Sequence, residues 1–396
     1  TTLSGNTAIG YRAGQHTTGS DNVFIGYESG QSTSGTGGGA QNAAIGNYTL
    51  DALTSGYGNS ILGYQTGKSI TTGYNNVFIG TNAGDAATTV DSAVAIGAHA
   101  LGNITTGENT AVGTQAGAAL TTGGENALFG KYAGNKLNVD VENTVLGNKA
   151  LYSAEGSGSY NVAVGFKSAY FATGSYNTLV GYYAGYGASA AASSGQYNTA
   201  LGYEALKVFT SGTHNTAIGY QSLAANTTGT ENTAIGATAL NAITTGTVNT
   251  GLGVRAGLVL TEGDRNTFVG KDAGDSATVI NDAVLIGHDA GHTISTSTAV
   301  DGTIAIGSSA LAALTTGAGN IAIGYQAMLE HTTGGNNIAI GYGAMNDTGH
   351  GDGPTSTDNV FIGKDSGGGT WATNDSNENV AVGSNTMTGA MNAAVN

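Results

Sequence analysis

A five-residue frame, Asn-x-x-Ile-Gly, returns along this chain at a nearly fixed interval, and that interval limits what the chain can become. Anchored on its glycine, the frame recurs 22 times from Gly10 to Gly383, and 12 of the 21 intervals are 17 residues. Asn opens the frame in 19 units, with Ala93, Ala283 and Thr303 as the exceptions. The residue before the anchor is Ile, Val, Leu or Phe in every unit. Self-similarity at a short fixed period is the signature of a solenoid, in which each repeat is one turn of a continuous core. Helical repeats need longer periods and strong helix formers, whereas Gly and Thr dominate here. Leucine-rich repeats need a Leu spacing that is missing.

The expectation is therefore an all-β chain: a parallel β-solenoid (β-roll) of about 22 coils of ~17 residues, running as one continuous domain over 1–396. At about 4.8 Å per coil it would be a rod on the order of 100 Å long. Intervals longer than the period mark insertions near 30–41, 186–197, 292–302, 346–358 and 367–378. Glycines three residues before the Asn, such as Gly56, Gly73 and Gly229, mark a turn that needs positive φ or close backbone approach. The Asn itself either takes a left-handed turn or stacks in a hydrogen-bonded ladder.

Composition narrows the function. A net charge of −15 with 11 Lys and Arg gives no basic stripe for phosphates, which argues against nucleic acid as a partner. No apolar run approaches the roughly 18 to 20 residues of a membrane-spanning helix, so no membrane insertion is expected. The absence of Cys excludes a disulfide framework. With Thr first and no signal peptide at the start, the sequence reads as a processed or excised piece.

The strands carry a second inference. In Val23-Phe24-Ile25 and Ile338-Ala339-Ile340 all three residues are apolar, although neighbours in a strand point to opposite faces. Both faces are then expected to be dry, one inside the coil and the other against a second layer. An identical chain about a symmetry axis is the economical supplier of that layer.

A third inference concerns volume. Where the middle strand residue is large, the residue four after the anchor is usually Gly, as in Phe24 with Gly30, Phe78 with Gly84 and Leu179 with Gly185. Where the middle residue is Ala, the later one is Leu or Met in nine of twelve units. Close-packed interiors hold volume nearly constant, so the two positions are expected to share one pocket, within a coil or across a symmetry axis. Val145 with Leu151 breaks the rule on the large side.

Units such as "NTAIGYQSLAANTTGTE" (Asn215 to Glu231) resemble the YadA-like head coils of trimeric autotransporter adhesins, and still more the Thr-Ala-Ile-Gly-Tyr repeats of phage and other viral tail-fibre proteins. That resemblance implies a left-handed β-roll assembled as a homotrimeric fibre. It also implies an extracellular or virion-surface location, and attachment to a cell-surface glycan or protein receptor.

Signs of chemistry are sparse. His288 and His292 have a spacing that would suit zinc on a helix, but they fall in a solenoid turn, and no metal or other cofactor is expected. Carboxylates form no recurring pair, so no enzyme is expected. Thr pairs such as Thr227-Thr228 and Thr244-Thr245 suggest stacked ladders, as on an ice-binding face. The loop insertions hold the only Pro and the only Trp, and His350, Asp352, Pro354 and Trp371 are the candidate partner-contact residues. The leading expectation is a non-enzymatic fibre or adhesin shaft that mediates attachment. The alternatives are a pilus-like filament subunit stacking end to end and an ice- or carbohydrate-binding solenoid.

Overall fold

The computed structural model describes residues 5–32, 38–152, 158–189, 193–294, 300–346, 356–369 and 377–389. Every repeat frame forms a three-residue strand. Thr1–Asn198 is one compact unit with eleven strands, β1 (Thr7–Ile9) to β11 (Thr178–Val180). Thr199–Asn396 is a second unit with eleven more, β12 (Thr199–Leu201) to β22 (Val380–Val382). Within each unit successive strands pair in parallel without a register shift, as in Ala8 with Phe24 and Ala217 with Ala234. Each unit is therefore a parallel β-solenoid with one strand per coil.

The anchor glycine ends each strand for a steric reason. Gly219 has φ near 132°, and a Cβ there would come within 2.5 Å of the Gly236 carbonyl oxygen of the next coil. The chain then turns through left-handed residues two and four positions beyond the anchor in all 22 coils, for example Gln221 at 51° and Leu223 at 48°. Non-glycine residues pay about 1–2 kcal/mol for that conformation. Bonds between coils offset the cost: the Gln221 N–H donates to Tyr203 O at 2.9 Å, and the Leu223 N–H to Ala239 O at 3.1 Å.

The opening Asn is not the left-handed residue; the one before it is, as Glu231 and Asn75 show. The Asn side chains instead form the ladder. Asn59 is fully buried, and its N–H and Nδ2 donate to Asn42 Oδ1 at 3.0 and 2.9 Å. Its Nδ2 also donates to Gly73 O at 2.9 Å. The same pattern recurs at Asn249 and Asn266. It halts at Ala93 and Ala283, which receive the Asn bond through their backbone N–H but have no side chain to pass it on. Buried polar side chains are tolerated here because the ladder satisfies them. Gly56, three residues before Asn59, does not have positive φ; a Cβ there would strike the Gly73 carbonyl oxygen, so it is a point of close approach.

The volume pairs share a pocket within the coil. A Cβ at Gly185 would lie 2.6 Å from both Leu179 methyls, and one at Gly134 would lie 2.9 Å from Leu128. At Gly30 and Gly84 it would enter the rings of Phe24 and Phe78. Units with small residues at both positions are completed by their neighbours. Gly257 and Gly251 leave space occupied by Leu240 from one adjacent coil and, at Gly257, by Phe268 from the other, each approaching to 2.6–2.7 Å of the missing Cβ. Gly117 is filled likewise by Leu101 and Leu128, at 2.9 and 2.8 Å. The large pair Val145 and Leu151 lies beside the small pair Ala163 and Ala169, with Val145 and Ala163 in register and all four buried. Volume is thus balanced over neighbouring coils as well as within one.

Candidate functional site

Two surfaces leave the repeat with chemistry to spare. The first is the outer face of the strands. The middle strand residue is buried, while the residues on either side of it are half-buried or exposed in every strand from Val23–Ile25 to Val380–Val382. Ile45, Leu62 and Leu146 are 42%, 47% and 53% exposed. Ile45, Leu62 and Ile79 line a shallow apolar cleft of about 170 Å³. The tyrosines just after the anchors continue this apolar character: Tyr203 stacks on Tyr220 at 5.3 Å, and Tyr325 on Tyr342 at 5.3 Å. Among the described residues one strand face is dry, as the alternation of side chains requires, and the other carries exposed apolar side chains.

The second surface is a ribbon formed by residues two and five positions after each anchor. The left-handed backbone at the first of these positions turns its side chain outward, which lets almost any residue type stand there. In Thr1–Asn198 the ribbon changes character along its length. Between the coils anchored on Gly80 and Gly130 it carries Gly102 and Ala118 where neighbouring coils carry larger groups, and a polar cleft of about 350 Å³ opens. Burial pushes the Asp85 carboxyl in this cleft above the usual carboxylate range.

Beyond the cleft the same ribbon becomes aromatic and cationic. Tyr152, Tyr170 and Tyr186 stack in sequence with ring centroids 5.1 Å apart. The Lys149 ammonium lies 5.7 Å from the Tyr152 ring, and that of Lys167 lies 5.3 Å from the Tyr170 ring. Lys167 Nζ donates to the Tyr183 hydroxyl at 3.3 Å, and this contact holds the ammonium above the ordinary lysine range. Lys131, Lys136, Lys149 and Lys167 are four of the chain's 11 basic residues, so this stretch is locally basic on an acidic molecule.

In Thr199–Asn396 the ribbon carries an ion-pair network instead. Arg255 bridges Asp272 at 3.2 Å and Asp275 at 2.7 Å, and His292 Nδ1 lies 2.7 Å from the other Asp275 oxygen. Lys271 contacts the second Asp272 oxygen. Burial pushes the Asp272 carboxyl up, but Lys271, Arg255 and His288 together outweigh it and hold the group below the usual range. Ligand atoms of Asp272, His288 and Asp289 lie within 4.8 Å of one another. Both oxygens of Asp272 are already engaged by cations, which suits an internal salt-bridge network better than a metal cradle. His288 and His292 pair with different carboxylates, those of Asp289 and Asp275.

The first Thr of each pair turns its hydroxyl to the backbone of the next coil, while the second, as at Thr228 and Thr245, is exposed. Thr227 Oγ1 donates to Thr244 O at 2.9 Å and Thr210 Oγ1 to Thr227 O at 2.9 Å, each one coil on. His350, Asp352, Pro354 and Trp371 lie outside the described residues. The ribbon was not visible to sequence reasoning, because its positions vary freely and the left-handed one carries a glycine in a single coil, at Gly343. The signal available was the clustering of Tyr and Lys between residues 131 and 186.

Compared with protein-family models and with curated proteins, the sequence matches none of either.

Proposed function

We propose that this chain is a segment of a non-enzymatic fibre or adhesin shaft, on a virion or cell surface, whose left-handed β-roll self-associates through its strand faces as a homotrimer. The observation that carries the reading is the uncovered apolar strand face. Monomeric proteins rarely expose contiguous apolar surface on this scale, and such surface marks an interaction site. A second copy offers the same repeat at the same spacing, so apolar rows of one chain match rows of another coil by coil. Trimeric assembly and attachment to a receptor follow from the likeness to tail-fibre and adhesin-head repeats. Among the described residues no helix is long and apolar enough to cross a membrane.

Sedimentation velocity over a range of concentrations tests this. A single species at three times the 39.0 kDa chain mass is expected. Polymers that lengthen with concentration would favour a filament stacking end to end, and a monomer would overturn the shaft reading.

A further inference from the structure

The polar cleft on the ribbon of Thr1–Asn198 has features that the shaft does not need. Six of its lining side chains are Asn82, Asp85, His99, Asn103, Gln115 and Asn135, drawn from four successive coils. Two of them are fixed from behind: Asn103 Nδ2 donates to Ala118 O at 2.9 Å, and Asn135 Nδ2 donates to Gln115 O at 3.0 Å. Asn82 Oδ1 is buried without a hydrogen-bond partner. The space itself exists because Gly102 and Ala118 stand where the flanking coils carry Asp85 and Asn135.

From these groups we propose that the cleft is an oligosaccharide-binding site, which deepens the attachment part of the proposed function and rests on it. Four of the six side chains are carboxamides, each of which both donates and accepts. A sugar hydroxyl does the same, so the match is to a hydroxyl-rich ligand. Phosphate or a metal ion would call for a concentration of one charge, whereas one carboxylate, Asp85, and one ammonium, Lys136, share this cleft. A volume of about 350 Å³ falls within the range of small-ligand pockets. Past Asn135 the ribbon continues as Tyr132, Lys149 and Tyr152, whose hydroxyl and ammonium groups extend the donor surface for further sugar units.

The repeat supplies its own control. Tyr152, Tyr170 and Tyr186 occupy the position equivalent to Ala118, so the coil accepts Tyr there, and Ala118→Tyr fills the cleft without altering the core. The full chain is applied to an array of neutral hexose and N-acetylhexosamine oligosaccharides with sialylated and uronic-acid counterparts. Expected is binding to at least one arm, weakened about tenfold or more by Ala118→Tyr and also by Asp85→Asn, with thermal stability and sedimentation mass unchanged. The neutral and acidic arms identify which saccharide class is taken. No binding on either arm, or binding indifferent to both substitutions, overturns the assignment. Because the mass measurement is independent of the cleft, failure here leaves the shaft reading standing.

Discussion

The interior pocket and the outer ribbon lie a few residues apart in every coil, yet they obey opposite rules. In the pocket, the middle strand residue and the residue four after the anchor trade volume so closely that Gly257 and Gly117 are filled by side chains from adjacent coils. On the ribbon, two and five residues after the anchor, the chain runs from carboxamides to tyrosines to ion pairs with no conserved volume or charge. Both positions two and four residues beyond the anchor are left-handed, so backbone geometry does not distinguish them. Burial does: the pocket positions are nearly all enclosed, whereas most ribbon positions keep contact with solvent. In a solenoid the repeat is thus a constraint on the inside and a blank frame on the outside.

The sharpest way to break that contrast is in the pocket. Phe78 is fully buried, and Phe78→Ala should cost about 3–5 kcal/mol by denaturant unfolding. Adding Gly84→Leu should recover much of the loss, because Leu101 and Leu223 hold the same left-handed position at φ near 49° and 48°. A double mutant no more stable than the single would remove the shared pocket.

A smaller effect comes from a titratable side chain inside the core. His331 is buried where other coils place Ile70, Ile104 and Leu314, and burial lowers its pKa to about 4. Its Nε2 lies 3.2 Å from Gly334 O. The unfolded chain binds the proton more readily than the folded one, so stability is fully present above pH ~6.5 and falls as pH drops toward 4. Relative to His331→Leu, the natural chain should lose roughly 3 kcal/mol between pH 7 and pH 4. Parallel pH profiles for the two proteins would show that His331 does not titrate as a buried group.

The smallest expected change is a gain. Thr303 stands in the Asn ladder with a buried hydroxyl that has no hydrogen-bond partner. Thr303→Asn would present an Oδ1 to the Asn320 N–H and rejoin the ladder, raising stability by about 1 kcal/mol. A decrease in the denaturation midpoint would mean that the ladder is not limited by its gaps.

Much of the fold was legible because the repeat states it 22 times. Strand positions, register and the volume pairs all follow from a period that side-chain packing enforces. Of the two readings left open for the Asn, its buried side-chain hydrogen bonds favour the ladder, and the space at Gly117 needed neighbouring coils to explain it. The ribbon stayed hidden for a physical reason: solvent-facing positions tolerate substitution, so Asn82, Asp85 and Gln115 look like ordinary turn residues until four coils bring them to one cleft. The uncovered strand face was anticipated by three apolar residues in a row, the outer two of which remain half-buried or exposed among the described residues.

That face is the centre of the account, and the sedimentation mass of a strand-face variant tests it most directly. Ile321→Glu with Ile338→Glu places charges on the outer face of two paired strands without entering the core. The account predicts that this variant sediments as a folded monomer under conditions where the natural chain and Ala118→Tyr remain trimeric. A natural chain that is itself monomeric, or a doubly substituted chain that keeps the mass of the natural assembly, would contradict it.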